Sequence, residues 1–124
     1  MDQIPPLEGL GWSKVRAVAK ELAATGTPDE VAAVAGRELG AEDTRRRMLA
    51  IYLLGFTAGA RPAEAIRRLA ALRADESEYV RHSAGNALRD IRRAHPELVD
   101  AETATWDMND PRVRFTHERV LKAR

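Results

Sequence analysis

Two tryptophans, three histidines and a run of three arginines are the residues of this 124-residue chain whose types could carry chemistry. Trp106-Asp107 sets an indole beside a carboxylate. Such a pair could wall in a cationic group and stabilise positive charge as it develops. The pair also precedes Asn109-Asp110-Pro111, a strong turn, so a helix-end anchor followed by a turn is the preferred reading. Asp90, directly after Arg89, is a second carboxylate, and a solvated helix position is its default role. Trp12 is followed by Ser13-Lys14 rather than by an acid. His82, His95 and His117 lie too far apart for the i, i+4 pair that holds a metal on one helix, so no metal site is expected. Arg45-Arg46-Arg47 points three ways around a helical turn, because successive residues are about 100° apart. It reads as a solvated helix start with one inter-repeat contact. No Gly-rich phosphate loop, nucleophile elbow or metalloprotease motif is present. The chain therefore gives no independent sign of an enzyme, and no cofactor, metal or nucleotide is implied.

Composition narrows the classes further. There is no cysteine, which excludes disulfides, thiolate catalysis and cysteine-rich zinc sites. Net charge is +1 and argues neither for nor against a polyanionic partner. The first third is mildly acidic and the middle is basic, with Arg37, Arg45, Arg46, Arg47, Arg61, Arg67, Arg68 and Arg73 facing few acids. Among twenty cations only Lys14, Lys20 and Lys122 are lysine. Such an arginine excess fits phosphate recognition through the planar guanidinium, and equally a GC-rich genome. Met1 to Gly11 is polar and proline-broken, without the apolar run of a signal peptide. The most apolar stretch, Met48 to Ala60, would span about 20 Å as a helix, short of the roughly 30 Å of a bilayer core. A cytoplasmic protein with no membrane contact is expected.

The elements that must position these residues all read as helices, and no segment alternates as a strand would. Ser13 is a candidate cap for a first helix to about Ala24, which Gly26 stops. Thr27-Pro28-Asp29-Glu30 combines an N-cap, a first-turn proline and a capping box for a second helix to about Leu39. The third, from about Glu42 to Ala58, is apolar on more than one face and belongs at the centre. Pro62 opens a fourth. A fifth runs from about Glu78 to Ala94, a sixth from His95-Pro96 to about Trp106, and a seventh follows Asn109-Asp110-Pro111. Short joints force antiparallel packing. The domain plan is an irregular segment over 1–11 and a single helical domain over 12–124.

The third, fifth and seventh helices repeat. Arg47, Arg81 and Arg114 begin similar octapeptides 34 and 33 residues apart, which end in Leu54, Leu88 and Leu121. That period marks a helical solenoid, whose units bury their apolar faces only against each other. The three leucines are expected at equivalent buried positions. Asp75, Val80-Arg81, Ala84 and Ala87-Leu88 resemble the HEAT pattern, in which the arginine ties adjacent repeats through an upstream acid. The fold class is thus all-α, an α-solenoid of antiparallel HEAT-like helix pairs with about seven helices.

The segment Glu78-Tyr79-Val80-Arg81-His82-Ser83-Ala84-Gly85-Asn86-Ala87-Leu88-Arg89-Asp90-Ile91, with His95-Pro96-Glu97-Leu98-Val99, Trp106 and Arg112 to Lys122, resembles the C-terminal repeats of the HEAT-like bacterial DNA alkylation-repair glycosylases, the AlkC/AlkD superfamily. The resemblance covers about the last 50 residues well and the middle only loosely. It implies a basic groove that holds duplex DNA by its backbone, and an enzyme that removes a cationic alkylated base. Arg89 matches an arginine near the DNA backbone in the AlkD branch. Asn86 stands where that branch has an aromatic residue beside the lesion and the AlkC branch tolerates asparagine. Arg81 matches the repeat arginine, whose role is packing or phosphate contact. The AlkD branch uses a Trp-rich stretch ending in a carboxylate ahead of these repeats, and here none is found. The resemblance therefore implies a module that binds duplex DNA, related to alkylation-damage repair or lesion sensing, without glycosylase activity of its own. Arg47, Arg81, Asn86, Arg89, Arg114 and Lys122 are its candidate DNA-binding residues, and no catalytic residue is assigned. The alternative is a HEAT-type protein-interaction scaffold. A shared basic surface would favour DNA. Interleaved acids such as Asp90 and Glu118 would favour a protein partner.

Overall fold

The computed structural model describes residues 4–122, and among them it contains seven α-helices and no strand. They are α1 (Trp12–Thr25), α2 (Pro28–Glu38), α3 (Thr44–Thr57), α4 (Pro62–Ala70), α5 (Glu78–Ala94), α6 (Pro96–Thr103) and α7 (Pro111–Leu121). Start signals in the sequence act as read. Thr27 Oγ1 accepts from the Glu30 amide at 3.2 Å, and Glu30 Oε1 accepts from the Thr27 amide at 2.9 Å. These bonds hold the Glu30 carboxyl below its ordinary pKa. Asp43, Ser77 and Asp110 cap α3, α5 and α7 through their side chains, and proline opens α2, α4, α6 and α7. Two boundaries differ from expectation. Gly11, not Ser13, occupies the N-cap of α1, and it offers no side-chain bond. α6 ends at Thr103 rather than near Trp106, because the chain tightens into short i to i+3 turns there.

The odd-numbered helices α1, α3, α5 and α7 lie side by side in one layer, and α2, α4 and α6 cover the other side of it. α3 touches α1, α2, α4 and α5, which explains its apolar residues on several faces. Met48, Leu49, Ile51, Leu53 and Leu54 are all buried. Leu54 and Leu88 occupy the expected core positions, at 3% and 0% exposure. Leu121 does not: it is 51% exposed, and Val120 is the residue that α7 buries there. Among the described residues no further helix pair stacks over α7, so its outer face has nothing to pack against.

Polar ties cross the repeats. Arg47 is 6% exposed, and its Nη1 donates to the carbonyls of Ala41 and Glu42 at 2.9 and 2.7 Å. Its Nη2 donates to Asp75 Oδ2 at 3.2 Å, and its Nε lies 3.0 Å from Asp75 Oδ1. Asp75 also accepts from the Ser77 amide, so one carboxylate fixes both the repeat arginine and the start of α5. Thr116, fully buried on α7, donates to the Arg73 carbonyl ahead of α5. At Gly85 α5 and α7 pack closely. A Cβ there would lie 2.6 Å from Arg119 Cβ and 2.8 Å from the Thr116 carbonyl oxygen.

Candidate functional site

Among the described residues, polar and aromatic side chains gather across α1, α3 and α5. An open cleft of about 580 Å³ runs across α1, α3 and α5, with Arg16, Tyr52, Phe56, Asn86, Asp90 and His95 among its walls. Arg16 sits 5.0 Å above the Phe56 ring. Burial pushes the Tyr52 phenol above its usual range, leaving it a neutral hydrogen-bonding group. At the end of the layer nearest the helix starts, Trp12 of α1 and Tyr79 of α5 meet at 5.6 Å over α3, with the Arg45 guanidinium 5.7 Å from the indole.

A cationic cluster adjoins this cleft on α5 and α7. His82, Asn86 and Arg89 follow at helical spacing on α5, and Arg119 and Lys122 come from the last turns of α7. The Asn86 amide nitrogen lies 3.3 Å from His82 Nδ1, a contact in which the ring nitrogen accepts. Burial holds the His82 pKa below the ordinary imidazole range, and the charges of Arg119, Arg89 and Lys122 add to this against Glu78. The Nε atoms of Arg89 and Arg119 and the Oδ1 atom of Asn86 are buried without a hydrogen-bond partner. Buried polar atoms of native proteins are usually paired, so three orphans in one place are informative.

The candidate residues divide between these surroundings. Asn86, Arg89 and Lys122 come together in the cluster. Arg47 does not: it is enclosed between repeats and its charge is matched by Asp75, so this arrangement offers it to no phosphate. Arg81 holds the same position in the next repeat and lies 4.9 Å over the Phe115 ring, with a buried Nε that has no partner. Arg114 is exposed and donates to the Met108 carbonyl at 3.4 Å, near the turn before α7. Asp90 lines the cleft, 3.6 Å from Arg89 Nε, while Glu118 is exposed on α7. Trp106 is buried, and its Nε1 donates to Glu102 at 3.0 Å, while Asp107 accepts from the Asn109 amide. That pair anchors a turn. Arg119 and His82 are not among the candidate DNA-binding residues that the sequence offers. Arg119 could have been found from the repeat itself, since Tyr52, Asn86 and Arg119 stand 34 and 33 residues apart. Among the described residues no group of His, Asp and Glu is arranged to hold a metal ion, and no helix is long and apolar enough to cross a membrane.

No known family's sequence model matches the chain, and no curated protein matches it. Two solved structures do. The crystal structure of smu.31 from Streptococcus mutans UA159 superposes with a TM-score of 0.83 at 29% identity, over 98% of this chain and 63% of that one. The chain thus spans under two-thirds of that protein's length. AlkD2 from Streptococcus mutans superposes with a TM-score of 0.51 at 20% identity, over 94% of this chain and 91% of that one. Seven helices in alternating layers, a buried repeat arginine tied to an upstream acid, and these two superpositions together give the chain an all-α fold of stacked HEAT-like helix pairs, which it shares with smu.31 and AlkD2.

Proposed function

We propose that this chain binds duplex DNA by its sugar–phosphate backbone on the free face of α5 and α7, in a role related to alkylation-damage repair or lesion sensing, and without releasing bases itself. The observation that carries the reading is the gathering of Arg89, Arg119 and Lys122 beside His82, with two guanidinium Nε atoms that have no hydrogen-bond partner among the described residues. Guanidinium forks match phosphate oxygens, and backbone contacts position a duplex without reading its sequence. The fold shared with AlkD2 supports the same direction. Arg89→Ala is expected to weaken binding to all duplexes about equally and to lower the slope of log affinity against log salt by about one phosphate's worth. Fluorescence anisotropy with two unrelated duplexes at two salt concentrations checks this. A loss confined to one sequence, or no loss, would remove Arg89 from the interface.

Base excision requires a carboxylate set against the developing sugar cation and an aromatic wall against the base. Asn86 offers a weaker surface to a cationic base than an indole does. Trp106 and Asp107 are spent on a turn. Release of N7- or N3-alkylated bases is therefore expected at the spontaneous rate, measured with purified chain and alkylated duplex. Release well above that rate and abolished by Asp90→Asn would make the chain an enzyme.

A second reading, a protein-interaction scaffold, is favoured by Asp90 in the cleft and by the exposed Phe56 and Tyr79. It predicts little DNA affinity at any salt concentration.

A further inference from the structure

We infer that His82, Arg89, Arg119 and Lys122 form a seat for a single phosphate group, and that His82 reports and reinforces its occupancy by taking up a proton. The inference rests on the DNA reading only for the source of the phosphate. The seat itself follows from the packing. Gly85 removes the Cβ that would collide with the Arg119 stem, so α7 delivers Arg119 directly against the face of α5 that bears His82 and Arg89. Lys122 follows Arg119 by one turn and acts on the same imidazole. Among the described residues neither the Arg89 nor the Arg119 Nε–H has a hydrogen-bond partner. Asp90 is ion-paired with Arg89 at 3.6 Å from its Nε, longer than a good hydrogen bond.

The surroundings of His82 favour a neutral ring. His82 is partly buried, Arg119, Arg89 and Lys122 repel a proton on it, and Glu78 attracts one. A bound phosphate reverses this balance, because its negative charge offsets those cations and rewards an imidazolium. Asn86 accommodates both states. With the ring neutral, its amide nitrogen donates to Nδ1 and its Oδ1 stays buried and unpartnered. A half-turn of the amide would present that idle acceptor to a protonated Nδ1. The sign of the linkage follows: the protonated form binds the anion more tightly, so affinity rises as pH falls through the His82 pKa and levels off below it.

The test is an NMR titration of the histidine rings of the full chain, with His82 assigned by comparison with His82→Gln. Sulfate, inorganic phosphate and a short duplex serve as probes; sulfate is itself untitrated across the range. Sulfate and duplex are each expected to raise the His82 pKa by about one unit, equivalent to about tenfold tighter binding to the protonated form. Arg119→Gln is expected to abolish the rise while the circular dichroism spectrum stays helical. A rise with sulfate or phosphate but not with duplex would keep the seat and dismiss DNA as its occupant. Duplex binding that leaves the His82 pKa where it was, with sulfate and phosphate shifting nothing either, would overturn the seat and leave the DNA reading standing. No shift with any probe would overturn it as well.

Discussion

Replacing Arg47 by alanine is expected to lower the free energy of unfolding by about 3–5 kcal/mol, the range for removing one partner of a buried ion pair. The magnitude follows from what the deletion leaves behind. Asp75 is 11% exposed at its side chain, and it would keep its charge with only the Ser77 amide as a donor. The carbonyls of Ala41 and Glu42 would lose their shared guanidinium as well. Because the tie joins the turn before α3 to the turn before α5, its loss loosens the stacking of two repeats rather than a single helix end. Urea denaturation of the variant measures the cost. The double variant Arg47→Met, Asp75→Leu is expected to recover much of it, since two apolar side chains leave no unpaired charge. An Arg47→Ala midpoint equal to that of the parent would return Arg47 to the surface and reopen it as a phosphate contact.

Leu88→Ala is expected to cost about 2–5 kcal/mol, the transfer of a leucine side chain plus the cavity it leaves. Leu88 is 0% exposed in α5, which packs against α3, α4, α6 and α7, so no solvent-facing element can collapse into the gap. Leu121 supplies the contrast. It shares the repeat position but is 51% exposed, and Leu121→Ala is expected to stay within about 0.5 kcal/mol of the parent. Denaturation midpoints of the two variants, measured side by side, separate repeat periodicity from actual enclosure. Equal effects would mean that α7 is covered in solution, by a second copy or by a partner.

Helix number, helix starts and the repeat were legible in the sequence because they depend on neighbours along the chain. Thr27 and Glu30 find each other three residues apart, and proline at a helix start needs no tertiary contact. The central place of α3 was legible too, since a helix apolar on several faces has to be covered on several sides. The start of α1 was missed because Ser13 has the right chemistry for a cap but lies past the turn that Gly11 begins.

The candidate site was only partly readable, and the repeat arginines show why. Arg47, Arg81 and Arg114 are the same residue at the same repeat position. Only the packed molecule shows that Arg47 is closed in against Asp75, Arg81 lies over Phe115, and Arg114 reaches the Met108 carbonyl in solvent. Their fates differ because an arginine's charge is set by the acids and surfaces around it, and those come from other helices. The cluster around His82 is likewise a product of tertiary contact. Residues 82 and 119 lie on different helices; the missing side chain of Gly85 lets α7 approach until the Arg119 charge acts on the His82 ring. What the sequence by itself determined is therefore the solenoid and its period, since helix signals and repeat spacing are local or nearly so. Which cations stay free to meet a ligand was decided by the tertiary structure, because burial and charge compensation are properties of the packed helices.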